Sequence, residues 1–132
     1  MLVPIAQAET RIQAGLWEKI EKVTLDGKEL PPRSQKICLK AGEANLERLV
    51  LVTADEAAAR GCDRSISALG PELVKMSMSC PVSDGESAIS AAMELKFTPT
   101  SFEGSGTVEI KARDGHGNKG TSRLSGKRLG DC

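Results

Sequence analysis

The sequence predicts a mainly β protein: a single antiparallel sheet of about six or seven strands, curved or partly closed, with one or two short helices. Apolar and polar residues alternate over two long runs that only Pro99 and Thr100 separate, which is the pattern of a hairpin with one buried face. Turn residues separate several further apolar runs. Strands of about 12 residues favour a curved sheet over a flat one.

The N-terminal run from Gly15 to Leu25 is ambiguous, because its apolar residues fit both helical and strand spacing. We predict a strand here, bulged near Glu21. The dipeptide Asp26-Gly27 is a hairpin signal, and the segment from Ser34 to Leu39 offers a partner strand.

The middle of the chain contains two candidate helices. Residues Thr53 to Glu56 form a capping box, and Gly61 ends the helix that we predict from Ala54 to Arg60. A second short helix around Ala44 to Leu51 is the other candidate, although the apolar end of this segment fits a buried strand equally well.

The long hairpin lies in the second half of the chain, with strands predicted over residues 89–98 and 102–113. Two glycines on the inner face of its second strand, Gly104 and Gly106, indicate a bend or the close approach of another backbone. After a cluster of turn residues, residues 119–129 contain few apolar side chains. We therefore predict that this last strand lies at an edge of the sheet.

Four cysteines are present: Cys38, Cys62, Cys80 and Cys132. Four cysteines allow three disulfide connectivities. If the turn at Gly70-Pro71 is centred on residue 71, Cys62 and Cys80 lie opposite each other on neighbouring strands, which favours a bridge between them. By elimination, the second bridge would join Cys38 to Cys132. The sequence has no C-x-x-C motif that would activate a thiol or bind zinc.

The first residues look like the end of a secretory signal peptide, because Ala6-Gln7-Ala8 follows a short apolar stretch and has the small-x-small form of a cleavage site. We predict that residues 1–8 are a signal-peptide remnant and that residues 9–132 form one domain. An even number of cysteines in a short chain favours structural disulfides. The predicted localisation is therefore periplasmic or secreted, and no segment approaches the roughly 20 apolar residues of a transmembrane helix.

Charge and aromatic content exclude nucleic acid as a partner. The formal net charge is zero, and the chain has one tryptophan, two phenylalanines and no tyrosine, so neither a basic field nor a stacking platform is present. Residues 111–132 are locally basic. A solvated face explains this local excess better than anion binding does.

No catalytic constellation emerges from the sequence. His116 is the only histidine, and its position between two glycines is typical of an exposed turn. Asp114, His116 and Asn118 faintly resemble a cation-binding loop, but no glutamate follows at the spacing that calcium sites require. The glutamates of the polar strand face could form a dyad across the hairpin, yet solvated surface is their default role; these are Glu94, Glu103 and Glu109. We therefore predict no enzyme activity, metal or cofactor.

Five apolar residues are candidates for a ligand site, because methionine and aromatic side chains adapt to irregular apolar ligands, although core filling is their commoner role. They are Trp17, Met76, Met78, Met93 and Phe97. The first functional hypothesis is a non-catalytic periplasmic binding module for a hydrophobic or lipid-like ligand, with a cavity beside Met76, Met93 and Phe97. The alternative is an envelope protein-interaction module with a filled core, which uses a sheet edge or the basic C-terminal hairpin.

Four segments resemble a bacterial family known as domain of unknown function 3617. They are Gly15-Leu16-Trp17-Glu18, Leu30-Pro31-Pro32 before Lys36-Ile37-Cys38-Leu39, the Cys62 and Cys80 pair, and the ending Gly126-Lys127-Arg128-Leu129-Gly130-Asp131-Cys132. The resemblance implies export through a signal peptide, cysteines joined as disulfides and a predominantly β domain. It implies no activity, and it supplies no catalytic or ligand-binding residues.

Overall fold

A computed structural model describes residues 10–51, 59–81, 88–112 and 114–132. The strands are β1 (Gly15–Leu25), β2 (Lys28–Glu29), β3 (Arg33–Leu39), β4 (Asp63–Gly70), β5 (Leu73–Cys80), β6 (Ala88–Thr98), β7 (Ser101–Lys111) and β8 (Gly117–Gly130). Between β3 and β4 lie a 3₁₀ turn, Ala41–Glu43, and the short helix α1 (Glu47–Val50). The ambiguous segment before residue 52 is thus helical.

All described strands belong to one antiparallel sheet in the order β2-β1-β8-β7-β6-β5-β4, and β3 pairs with β1 beside β2. The prediction of a single antiparallel sheet is confirmed, with seven strands of at least seven residues and the two-residue β2. The two ends of the strand order do not pair with each other. The sheet is therefore open, with β2 and β3 along one edge and β4 at the other.

The predicted hairpin after β1 is present. Asp26 and Gly27 both have positive φ angles, 50° and 79°, which the two central residues of a type I′ turn require. The bulge predicted near Glu21 is wrong, because the register of β1 against β8 shifts between Leu16 and Trp17 instead. Leu129 of β8 is the unpaired residue there, and the neighbouring Gly130, with φ at 157°, accommodates the distortion.

Strand β8 lies in the interior of the sheet, between β1 and β7, so its prediction as an edge strand is wrong. Its apolar content is low because glycines occupy positions where no side chain fits. A Cβ at Gly120 would lie 1.9 Å from the carbonyl oxygen of Thr24, and one at Gly126 would lie 2.1 Å from the ring of Phe102. On the covered face of β8, few apolar residues therefore reflect close packing, while the other face is exposed.

The close backbone approach predicted at Gly104 and Gly106 is confirmed, because a Cβ at Gly106 would lie 1.9 Å from the carbonyl oxygen of Ala92 on β6. We expect Gly106→Ala to lower the free energy of unfolding by more than about 2 kcal/mol, since backbone must move to relieve the overlap. Urea denaturation of the oxidised protein measures this change. The matched control is Gly42→Ala, where an added methyl group meets nothing within 4 Å and should change stability by less than about 0.5 kcal/mol. Equal effects of the two substitutions would contradict the explanation.

The hydrophobic core lies on one side of the sheet, here called the covered face, beneath α1 and its flanking residues. Leu46 and Leu49 from this helical segment are 0% and 1% exposed and pack on the strands. Two backbone hydrogen bonds attach the segment to residues before β1, from Ile12 to Ala44 and from Leu46 to Thr10. The amine of Lys19, on β1, donates a hydrogen bond to the carbonyl oxygen of Leu49 at 2.8 Å. Burial under the helix lowers the pKa of this lysine.

Both disulfides have the favoured connectivity, Cys38–Cys132 and Cys62–Cys80. The pairing of β4 with β5 sets Asp63 opposite Ser79, which brings Cys62 to Cys80 as hairpin symmetry predicted. The signal-peptide remnant at residues 1–8 lies outside the described residues. So does most of the helix predicted from Ala54 to Arg60, of which only Ala59 and Arg60 are described, and both are helical.

Candidate binding surface

The five residues predicted as ligand contacts lie on the covered face, and the structure packs most of them into the core. Trp17 and Met76 are 0% exposed and Phe97 is 8% exposed, while Met93 packs against the same cluster. Met78 lies apart, against the Cys62–Cys80 bridge. Trp17 also donates its indole N–H to the carbonyl oxygen of Gln13 at 2.9 Å and stacks on Phe102 with ring centroids 6.2 Å apart. These contacts account for Trp17, Met76 and Phe97 as core residues.

The turn between β7 and β8 contains the only histidine. His116 is exposed, and its Nδ1 lies 2.8 Å from a carboxylate oxygen of Asp114, whose other oxygen accepts the backbone N–H of His116 at 2.9 Å. These hydrogen bonds, the backbone one first, lower the pKa of Asp114. The interactions close a turn on the surface. Among the described residues, no three His, Cys, Asp or Glu side chains converge as metal ligands.

The opposite side of the sheet, here called the polar face, carries the exposed strand residues and is crossed by three shallow grooves. Each groove runs across the strands between two rows of side chains, with volumes of about 530, 540 and 630 Å³. Their linings do not include Trp17, Met76, Met93 or Phe97. Met78 lines the first groove, and Leu124 of the core lines the second.

Hydroxyl groups line the groove that crosses β4 to β8, here called the hydroxyl groove; they come from Ser65, Ser77, Ser79, Ser90 and Thr107. Some of these hydroxyl groups already form hydrogen bonds with each other. The hydroxyls of Ser65 and Ser77 lie 2.6 Å apart, and those of Ser79 and Ser90 lie 3.4 Å apart. Two pairs of hydroxyl groups in the hydroxyl groove therefore hydrogen-bond to each other.

Charged side chains on the polar face follow a regular pattern. Five lysines each have a glutamate as direct cross-strand partner: Lys75 with Glu94, Lys96 with Glu103, Lys119 with Glu109, and both Lys36 and Lys127 with Glu18. Direct cross-strand neighbours of opposite charge stabilise a sheet. Glu94 and Glu103 are not direct cross-strand partners, because Glu94 faces Ser105 on β7 and Glu103 faces Lys96 on β6, although both line the second groove.

One pair departs from this pattern. Lys22 of β1 lies directly opposite Arg123 of β8, and both side chains are exposed. Sequence reasoning missed this pair, because nothing in the sequence reveals which residues of two distant strands will be neighbours. Only the register of β1 against β8 places the two cations together.

The two edges of the sheet differ in their protection against further strand pairing. The edge formed by β2 and β3 carries Lys28, Arg33 and Lys36 and is interrupted by Pro31 and Pro32. Lysine and proline are the usual means of blocking an edge strand. By contrast, β4 begins with Asp63 and Arg64, and its other six residues, 65–70, include neither a charged residue nor a proline. Within the described residues, β4 pairs only with β5.

Apolar side chains extend this difference at the tip of the β4–β5 hairpin. Leu69 of β4 is 50% exposed and Leu73 of β5 is 36% exposed. An uncharged edge beside exposed leucines is the form of edge that other chains can pair with.

Within the part of the chain that the structure describes, every helix is too short or too polar to span a bilayer.

The family model described as "Protein of unknown function (DUF3617)" matches residues 12–132. The chain belongs to this family. No curated protein and no solved structure matches it.

The segments that resemble DUF3617 most closely meet in the structure. The register pairs Leu16 with Gly130, Trp17 with Arg128 and Glu18 with Lys127, so the Gly-Leu-Trp-Glu opening lies beside the closing segment. Arg128 donates from Nε to the carbonyl oxygen of Ala14 at 2.7 Å. Gly15 leaves no room for a side chain, because a Cβ there would lie 2.6 Å from that Nε atom. In this DUF3617 protein, the two segments join the ends of the domain.

Proposed function

We propose that this DUF3617 protein is a non-catalytic interaction module of the bacterial periplasm, which binds an extended segment of a partner protein along the edge strand β4. The observation that carries the proposal is the difference between the two edges. Lysine, arginine and proline guard the β2–β3 edge, whereas residues 65–70 of β4 carry no such guard. Strand addition uses an edge of this kind, with backbone hydrogen bonds for affinity and side-chain contacts for specificity.

The packed core supports interaction over storage of a hydrophobic ligand. Such a ligand needs an internal space beside Met76, Met93 and Phe97, and Met76 and Phe97 are 0% and 8% exposed within the core. A filled core and an exposed edge are what the interaction hypothesis requires. The two disulfides support the assignment to an oxidising compartment such as the periplasm.

A photo-reactive amino acid at Ser67, in the middle of β4, tests the proposal in cells that export the full precursor. The matched control is the same amino acid at Lys36, which is also exposed but lies on the guarded edge. We expect a defined cross-linked partner from position 67 and none from position 36. The partner is then purified, and hydrogen exchange of its complex with the oxidised protein should show new protection of the β4 amides, because strand addition pairs them.

A charged substitution supplies the second arm of this test. Ser67→Glu places a carboxylate on β4 opposite Lys75, so the sheet gains a favourable cross-strand pair while the edge gains a guarding charge. We expect partner binding to fall by about tenfold or more. The control Ser34→Glu, on β3, should leave binding unchanged. Complex formation without protection of the β4 amides would overturn the proposal.

A further inference from the structure

The pair formed by Lys22 and Arg123 is the only pair of like charges among the cross-strand partners that the structure describes. Like charges directly opposite each other destabilise a sheet. Within the described residues, neither side chain forms an ion pair or a hydrogen bond. The sheet therefore holds two cations side by side without a direct ion pair, on a face where other lysines lie opposite glutamates.

Hydroxyl groups surround this pair and complete a set of donors. Thr24 and Thr121 are cross-strand partners in the next row, and Ser105 of β7 lies directly opposite Arg123. These side chains line the groove of about 630 Å³ together with both cations. A guanidinium group binds oxyanions through two parallel N–H donors, a lysine adds a compact positive charge, and threonine hydroxyls donate further hydrogen bonds.

Carboxylates at the margins limit the size of the anion that this site accepts. Glu29 lines the same groove as the cations. Glu103 is one diagonal step from Arg123, because its own partner on β8 is Ser125. An extended polyanion laid across the polar face would meet both carboxylates, and like-charge contact would oppose its binding. A single compact oxyanion contacts the cations and hydroxyls between them.

We propose that Lys22 and Arg123 form a binding site for one tetrahedral oxyanion of the phosphate type, carried as free phosphate or as the headgroup of a lipid. Bound phosphate relieves the repulsion between the two cations and engages the hydroxyls of Thr24, Thr121 and Ser105. The site lies on the polar face between β1 and β8. It is independent of the partner edge at β4, so either proposal can fail without the other.

The test is a titration of the full, oxidised, ¹⁵N-labelled protein with inorganic phosphate at low ionic strength, against chloride at equal ionic strength. We expect saturable shifts of the Lys22, Thr24, Thr121 and Arg123 amides with phosphate only. Because Arg123→Gln removes charge-assisted hydrogen bonds to the anion, it should weaken phosphate binding by about tenfold or more. Lys127→Gln removes a lysine that already faces Glu18 and should leave the affinity unchanged.

Thermal unfolding provides a second measurement. Removal of a cation weakens phosphate binding, but it should stabilise the protein when no phosphate is present. In chloride, Lys22→Gln should raise the unfolding midpoint, because it removes the repulsion from Arg123. In phosphate, the wild-type midpoint should rise by mass action while that of Lys22→Gln does not. Equal shifts with phosphate and chloride, or an equal loss of affinity in Lys127→Gln and Arg123→Gln, would overturn the site.

Vesicles separate the two sources of phosphate. Sedimentation with phosphatidylcholine vesicles that contain phosphatidic acid, but not with pure phosphatidylcholine, would assign the site to a lipid-borne phosphate, provided that Arg123→Gln abolishes it. Binding of inorganic phosphate without vesicle binding would assign it to free phosphate. Binding to neither would overturn the proposal.

Discussion

Removal of the Cys38–Cys132 disulfide is expected to lower the free energy of unfolding by about 4.5 kcal/mol. The bridge joins residues 94 positions apart, so in the chain-entropy model it restricts the unfolded state strongly. Both cysteines are exposed, and serine at these positions therefore buries no polar group. The loss acts mainly through the unfolded chain and is a large fraction of the about 5–15 kcal/mol that stabilises a typical domain.

The measurement is urea denaturation of the double variant Cys38→Ser/Cys132→Ser without reductant, while the other bridge stays intact. The comparison is Cys62→Ser/Cys80→Ser, whose cysteines are only 18 positions apart and whose loop contributes about 3 kcal/mol in the same model. We also expect the first variant to show a steeper dependence on urea, because its unfolded state exposes more surface. Unchanged stability of the first variant would contradict this account.

Trp17→Ala is expected to cost about 3–5 kcal/mol, which is the usual range for truncation of a large buried aromatic residue. The side chain is 0% exposed, and its ring stacks on Phe102 of β7. Its loss leaves a cavity beneath α1, and the carbonyl oxygen of Gln13 loses the indole N–H donor. A domain that depends on one core should be close to unfolding at room temperature.

The control for this prediction is Trp17→Phe, which keeps an aromatic ring over Phe102 but lacks the N–H donor. It should cost about 1–2 kcal/mol, the contribution of the lost hydrogen bond and part of the packing. Far-UV circular dichroism follows both transitions, since Trp17 is the only tryptophan and its fluorescence disappears with it. A cost for Trp17→Ala no larger than for Trp17→Phe would show that the cavity collapses without loss.

Strands with strong local patterns were predictable from the sequence. Residues 89–98 and 102–113 alternate regularly, and β6 and β7 occupy nearly these positions, because alternation depends only on neighbouring residues. The turn centred on residue 71 likewise predicted the Cys62–Cys80 bridge. The same reasoning gave the wrong position for β8. A low content of apolar residues is expected for an exposed edge strand, but it is also expected where close neighbours leave room only for glycine.

The candidate ligand residues show a similar limit of prediction from sequence. Composition singled out Trp17, Met76 and Phe97 as apolar and adaptable, but it contains no measure of how closely they pack. The structure places all three in the core. Lys19 was not selected at all, because a lysine beneath a helix can be recognised only after the helix has been positioned over β1.

The sequence by itself determined the antiparallel β architecture, both disulfides and most strand positions, since alternation, turn chemistry and hairpin symmetry are local properties. Only the tertiary structure decided which strands lie at the edges and which side chains face each other. Strand order sets β4, with its uncharged residues 65–70, at one edge and encloses β8, and register sets Lys22 against Arg123, a residue far away along the chain. Such pairings arise from the burial of one common core by distant segments, which no local pattern records.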